Sequence, residues 1–196
     1  GIELDLLLSR VILEAGRSGT IEAMRSLYGT VYRLEKEVIP DAHTLCALVD
    51  GCGKSGRGGL AASLCLRSPL VVNEAWDVAL DYRLRVIEEV QQASAAAAQG
   101  AIYTVEDANL TGSVADALVH DLQQSTPVAV VGETNGSIHI SARNPPGVNL
   151  NLGEEMRTLA RELGGSGGGH QRRAGATIPL QQRDSCIRRL KEVLAA

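Results

Sequence analysis

The residues best equipped for chemistry lie between Gly164 and Pro179, GGSGGGHQRRAGATIP, where five of the first six positions are glycine and His170 follows. Glycine accepts backbone angles that side chains forbid, and it lets a ligand approach bare N–H groups. Such a loop can gather its amides into a nest around a phosphate oxygen, with the His170 imidazole as a further donor and Arg172 and Arg173 as positive charge. The chemistry would be the holding of an anion. The competing reading is that Gly164 caps a helix and the other glycines form a flexible linker. The flanks weigh against a linker. Met156 to Leu163 reads as a helix end and Ala174 to Ile178 as small, apolar and extended, so the segment joins two ordered elements.

The elements that must position this loop follow from periodicity and punctuation. An amphipathic helix from Leu4 to Ala15 stops at Gly16, and a short strand is expected around Val31 to Leu34. Two small-residue helices over 41–51 and 58–66 are separated by a turn from Gly51 to Gly59, and Pro69 breaks the pattern. From Val71 to Gln99 an apolar stripe at Val71, Ala75, Val78, Ala79, Tyr82, Val86 and Val90 has helical spacing. A helix of that length is on the order of 40 Å, more than a small core covers, so it is expected to bridge two lobes. A strand over Ala101 to Val105 and a helix over Val114 to Gln124 come next, then two strands joined at Asn135 and Gly136, a pair that favours a tight turn. Val128 to Val131 is apolar on both faces. Along 137–143 the pattern alternates instead, with Ile138, Ile140 and Ala142 on one side and Ser137, His139, Ser141 and Arg143 on the other. That polar set faces either water or a ligand.

GGSGGGH followed by AGATIP is similar to the GGGHxxAAGA signature that closes the DHHA1 domain of DHH-family phosphoesterases, a group that includes RecJ exonucleases. Ser141, Ala142 and Arg143 resemble that domain's S-x-R strand. Further upstream, LYGTVYRL (27–34) and LCALVDGCGKSGRGGLAASLCL (45–66) resemble archaeal RecJ relatives, with Asp50, Gly51, Cys52, Gly53 and Lys54 falling on an NACGR element. Carried across position by position, the resemblance assigns substrate phosphate to Ser141, Arg143, Gly167, Gly168, Gly169, His170, Arg172, Gly175 and Lys54. The chain departs from the family pattern at three places in these motifs. Asp50 replaces an amide, Lys54 replaces a two-pronged guanidinium, and Arg173 replaces an alanine.

The fold so implied is α/β with two lobes joined by a long helix. Residues 1–68 resemble the end of the DHH core, 69–100 form the connecting helix, and 101–196 form a DHHA1-type lobe with a small mixed sheet flanked by helices. The family's Asp-His-His triplet, which helps to hold two divalent metals about 4 Å apart, has no counterpart here. The four histidines (His43, His120, His139, His170) are scattered, and Asp41-Ala42-His43 is a poor imitation. The resemblance therefore places no catalytic residue and no metal in this chain, and implies a Mn or Mg pair only for a full-length active relative. Two roles follow from it. One is the strand-holding part of a RecJ-like exonuclease on single-stranded DNA or RNA, and the other is an inactive replication component that binds the GINS complex. A small-nucleotide phosphoesterase of the same superfamily ranks third.

Composition narrows the field. The chain has 196 residues, of which 44% are hydrophobic and 21% charged, enough apolar mass for one large or two small cores. No apolar run approaches the ~20 residues of a membrane span, and the start at Gly1 has no leader pattern, so a cytoplasmic protein is expected. A net charge of −4 argues against wrapping duplex DNA. However, Arg157, Arg161, Arg172, Arg173, Arg183, Arg188, Arg189 and Lys191 all fall in the last 40 residues, which allows a local basic patch. Cys46, Cys52, Cys65 and Cys186 make no CxxC pair, and the first three are expected to be small core residues. Gly53-Lys54-Ser55 mimics the end of a Walker A loop, but Leu48 stands where that loop needs glycine. With four tyrosines, one tryptophan and no phenylalanine, base-stacking platforms are sparse.

Overall fold

A computed structural model describes residues 2–17, 29–96, 101–120, 125–134 and 136–195. Two compact units are present, Gly1–Cys46 and Ala47–Ala196. In the first, helix α1 spans Ile2–Ala15. The strand expected near Val31 is reduced to a single bridge between Arg33 and Asp41, because only one residue pair comes into register. Asp41 then starts helix α2 (Ala42–Lys54), its Oδ1 accepting from the Thr44 amide and hydroxyl, each at 2.7 Å.

In the second unit α2 runs through Gly51, where a turn was expected. A Cβ at Gly51 would lie 2.9 Å from Ala79 Cβ, so glycine marks a close helix crossing, and the turn comes later, at Ser55 and Gly56. Helix α3 (Gly58–Cys65) and a single turn at Pro69–Val71 lead into the long helix α4 (Val72–Ala96). Its buried stripe, Tyr82 and Ala93 with Val86 and Val90 beside them, packs into the same core as β1 (Ile102–Val105) and helix α5 (Thr111–His120). The long helix lies in the second unit, with Ala75 and Ala79 against α2 near its start and Tyr82 to Ala93 against α5 and β1 further along. Residues 97–100, where the helix was expected to end, lie outside the described residues, as do 121–124 and Asn135. No helix among the described residues is long and apolar enough to cross a membrane.

The sheet is mixed. Its order is β1, β2 (Val128–Thr134), β3 (Ser137–Arg143), β5 (Arg173–Pro179), β4 (Ser166–Gly169), with β1 and β2 parallel and the other pairs antiparallel. Alternation along the strands gives it two different faces. On one, Ala129, Val131, Ile138, Ile140, Ala142, Ala174, Ala176 and Ile178 are buried beneath helices α6 (Leu152–Glu162) and α7 (Arg183–Leu194). On the other, Val128 and Val130 are buried with Val114 and Leu118 of α5, together with Tyr103 and Val105. That second layer covers β1 and β2 and reaches β3, while Ser166, Gly169, His170 and Arg173 remain exposed.

The four cysteines divide by helix face. Cys52 and Cys186 are buried, whereas Cys46 and Cys65, expected in the core, sit on the outward sides of α2 and α3 and are exposed.

Candidate functional site

The glycine run is a strand rather than a loop nest. Gly164, at φ 70°, closes α6, and the Gly165 amide returns to the Ala160 carbonyl at 2.8 Å. Ser166–Gly169 then pairs along β5. The His170 amide donates to the Arg173 carbonyl at 2.8 Å. Antiparallel ladders alternate, so the Gly168 and Ser166 amides also point to β5, while those of Gly167 and Gly169 point to the outer edge of the sheet. Gly168 and Gly169 hold φ of 151° and 142°, values that side chains rarely allow. A Cβ at Gly167 would lie 2.5 Å from the Met156 carbonyl and 2.9 Å from both Ala160 and Ala176. Glycine is required there because α6 lies directly on β4.

The register across β3, β5 and β4 draws most of the predicted residues into two adjacent rows on the open face. Ser141, Gly175 and Gly168 are cross-strand neighbours in one. Arg143 and Arg173 lie opposite each other in the next, with His170 bonded to Arg173. Thr111, His139, Ser141, Ser166, Gly175 and Thr177 line a concavity of about 280 Å³ beside them. The first row presents the smallest side chains on the sheet, so a ligand can come close to the backbone. The second presents cationic and imidazole donors along its flank. Arg172 is exposed in the β4–β5 turn, where its carbonyl accepts from the Asn144 amide at 3.0 Å.

Arg143 is the most constrained member, with its side chain only 13% exposed. Nε donates to Asp116 Oδ1 at 2.7 Å, Nη1 to the Ala142 carbonyl at 2.9 Å, and Nη2 to the Gly112 carbonyl and Asp116 Oδ2, each at 3.4 Å. Ser141 donates to Thr111 Oγ1 at 3.1 Å. Both contacts tie the shelf to the first turns of α5. Lys54 approaches the same helix from another side. Its Nζ is 3.3 Å from Ser113 Oγ, which is 2.7 Å from the Tyr82 hydroxyl. Asp50 pairs with Lys54 at 2.8 Å. A second groove, about 770 Å³, lies between α2, α4 and α5, with Lys54, Ser113 and Asp116 at its polar end and Trp76, Leu80 and Ile87 on its apolar wall.

Two supporting residues escaped the sequence reading. Asp116 salt-bridges both Arg143 and Arg173, the latter at 3.1 Å. Asn144, 3% exposed, donates from Nδ2 to the carbonyls of Leu150 at 2.6 Å and Gln171 at 3.0 Å, pinning the β4–β5 turn to the end of β3. Neither belongs to a local motif. The available signal for Asn144 was its place directly after Ser141-Ala142-Arg143 and before two prolines. Among the described residues no group of three His, Cys, Asp or Glu side chains is placed to hold a metal ion. These described residues therefore do not fit a metal pair.

Residues 95–196 match the DHHA1 domain, and they contain the whole sheet with α5, α6 and α7. The chain belongs to the DHHA1 family. A Methanocaldococcus jannaschii protein described as uncharacterized is 26% identical over 166 residues, 83% of this chain, and the chain spans 37% of that relative's length. RecJ from Thermus thermophilus in complex with Mn2+ superposes with a TM-score of 0.60 at 16% identity, over 76% of this chain and 23% of that one. Exonuclease RecJ bound to manganese gives 0.59 at 15% identity, over 77% of this chain and 40% of that one. These are likenesses of fold. They extend beyond the DHHA1 boundary, in keeping with the packing of α4 into the same unit.

Proposed function

We propose that this DHHA1 chain is the strand-holding part of a RecJ-like phosphoesterase. Its open face positions the sugar-phosphate backbone of a single-stranded nucleic acid while a metal-bearing DHH domain outside these residues cleaves it. The observation that carries this is the pair of rows, Ser141–Gly175–Gly168 for close approach and Arg143–Arg173–His170 for charge and donors. Its contribution to catalysis is orientation, the fixing of a scissile bond relative to a reacting centre. Phosphate contacts read no bases, and the 2′-hydroxyl is what would separate RNA from DNA, so both strands are tested. The test is a fluorescence anisotropy titration of labelled single-stranded DNA and RNA at low salt against wild type and His170→Ala. Weak, salt-sensitive binding that falls several-fold in the variant is expected, and equal affinities reject the assignment.

A second reading, an inactive replication component that docks on GINS, is favoured by the internal neutralisation of the cleft, with Asp50 on Lys54 and Asp116 on Arg143 and Arg173. It predicts recovery of GINS subunits in a pull-down together with no measurable strand binding.

A further inference from the structure

The two arginines in the donor row share one carboxylate, and they share it unequally. Asp116 Oδ1 lies 2.7 Å from Arg143 Nε and 3.1 Å from Arg173 Nη2. Arg143 is fixed by two backbone carbonyls as well and is 13% exposed, whereas the Arg173 side chain is 59% exposed, and Asp116 is its one ion-pair partner among the described residues. An arriving phosphate cannot move Arg143, but it can draw Arg173 away from Asp116.

Resting on the strand-holding reading, we infer that Asp116 is an internal counter-anion that a bound phosphate displaces from Arg173, and that it sets the minimum length of strand the shelf retains. One phosphate gains Arg173 only by breaking an ion pair that already exists, so its net gain is small. A strand with several phosphates meets the same cost once and recovers it through the neighbouring contacts at His170, Arg172 and the Gly167 and Gly169 amides. The shelf therefore keeps an oligonucleotide and releases a mononucleotide. Asp116 acts through the arginines as a positioning residue and touches no substrate.

The test is a double-mutant cycle on the 196-residue chain with Asp116→Asn, Arg173→Ala and the pair, using a labelled octathymidylate and unlabelled thymidine monophosphate as competitor. Asparagine keeps an oxygen for Arg143 Nε, so the fold is retained while the charge is lost. Asp116→Asn is expected to bind the octamer about five- to tenfold more tightly, to gain at least as much for the mononucleotide, and to steepen the salt dependence by about one counterion. Arg173→Ala should cost less than about threefold in the wild-type background and erase the gain in the Asp116→Asn background. Unchanged or weaker binding by Asp116→Asn, or an equal loss from Arg173→Ala in both backgrounds, overturns the inference while leaving strand holding intact. Absence of octamer binding by the wild type and every variant overturns both. Should Asp116→Asn fail to fold, Arg173→Ala alone decides, since a loss of about tenfold in the wild type means that Arg173 was never neutralised.

Discussion

Replacing Gly167 by alanine tests whether the glycine run answers to packing or to ligand. The added methyl would meet the Met156 carbonyl at 2.5 Å and the Ala160 and Ala176 methyls at 2.9 Å, one contact being backbone and the others short side chains with no freedom to swing away. To relieve it, α6 must lift off β4 or β4 must leave the sheet. Overpacking of this kind costs about 1–3 kcal/mol, against about 0.4–1 kcal/mol returned by a stiffer unfolded chain. The net loss of roughly 1–2 kcal/mol corresponds to a fall of about 2–8 °C in Tm for a chain of this size. The control is Gly53→Ala in α2, where nothing lies within 4 Å of the new Cβ and helix propensity alone predicts a gain of up to about 1 kcal/mol. Differential scanning calorimetry on both variants separates the signs. If Gly167→Ala melts at or above the wild-type temperature while losing strand binding, then glycine at 167 serves the ligand and the packing argument is wrong.

Asn144→Asp exchanges the two Nδ2 donors for a buried carboxylate facing two carbonyl oxygens, so a loss on the order of 3 kcal/mol at neutral pH is expected. Burial raises the folded pKa of the new acid, so melting at lower pH should recover part of that loss, and a pH-independent defect would contradict the account. Iodoacetamide at about pH 8 should label Cys46 and Cys65 and spare Cys52 and Cys186, whose thiols are pushed up by burial, Cys186 to about 11. The same raised value gives a sign for stability. The contribution of neutral Cys186 is complete below about pH 9 and is lost as pH rises toward 11, so Tm should fall across that window in the wild type and fall less in Cys186→Ala.

Much of this fold was legible because local signals agreed with tertiary packing. The alternation of Ile138, Ile140 and Ala142 with Ser137, His139, Ser141 and Arg143 became the two faces of β3, and the stripe through Tyr82, Val86 and Val90 became the buried side of α4. Expectation and structure part where glycine has two meanings. At Gly51 it suggested a turn and proved to be a helix crossing, and at Gly167 to Gly169 it suggested a loop and proved to be an edge strand under a helix. Glycine reports that something comes close to the backbone. Only the fold reveals whether that something is Ala79, Met156 or a ligand. Of the candidate site, Ser141, Arg143, Gly168, His170 and Gly175 could be named from their motifs and are brought together by the register of the sheet, whereas Lys54 lies in a separate groove. Asp116 could not be named in this way, because its partners lie 27 and 57 positions away and are brought to it only by the packing of α5 on the sheet.

The same distinction between linear and spatial neighbourhood decides how strongly the shelf attracts a polyanion. Eight basic residues crowd the last 40 positions, but α6 and α7 lie on the face opposite the shelf and take most of that charge with them. There Arg189 is paired with Glu155, Glu162 and Glu192, and at the far end of the sheet Arg183 holds Glu133 at 2.6 Å. What faces the strand is Arg173, Arg172 and His170, with the Arg157 guanidinium reaching from α6 to Gly168, beside an Arg143 already bonded on three sides. For a single strand each neutralised phosphate contributes about 0.7 to the slope of log K against log salt. Three or four contacts therefore predict a slope of about −2 to −3, whereas a continuous patch engaging all eight residues would give about −6. Titrations of one oligonucleotide across several salt concentrations distinguish these values without any substitution. A slope near about −6 would mean that the strand wraps around α6 and α7, which would remove the open face of β3, β5 and β4 from the account of binding altogether.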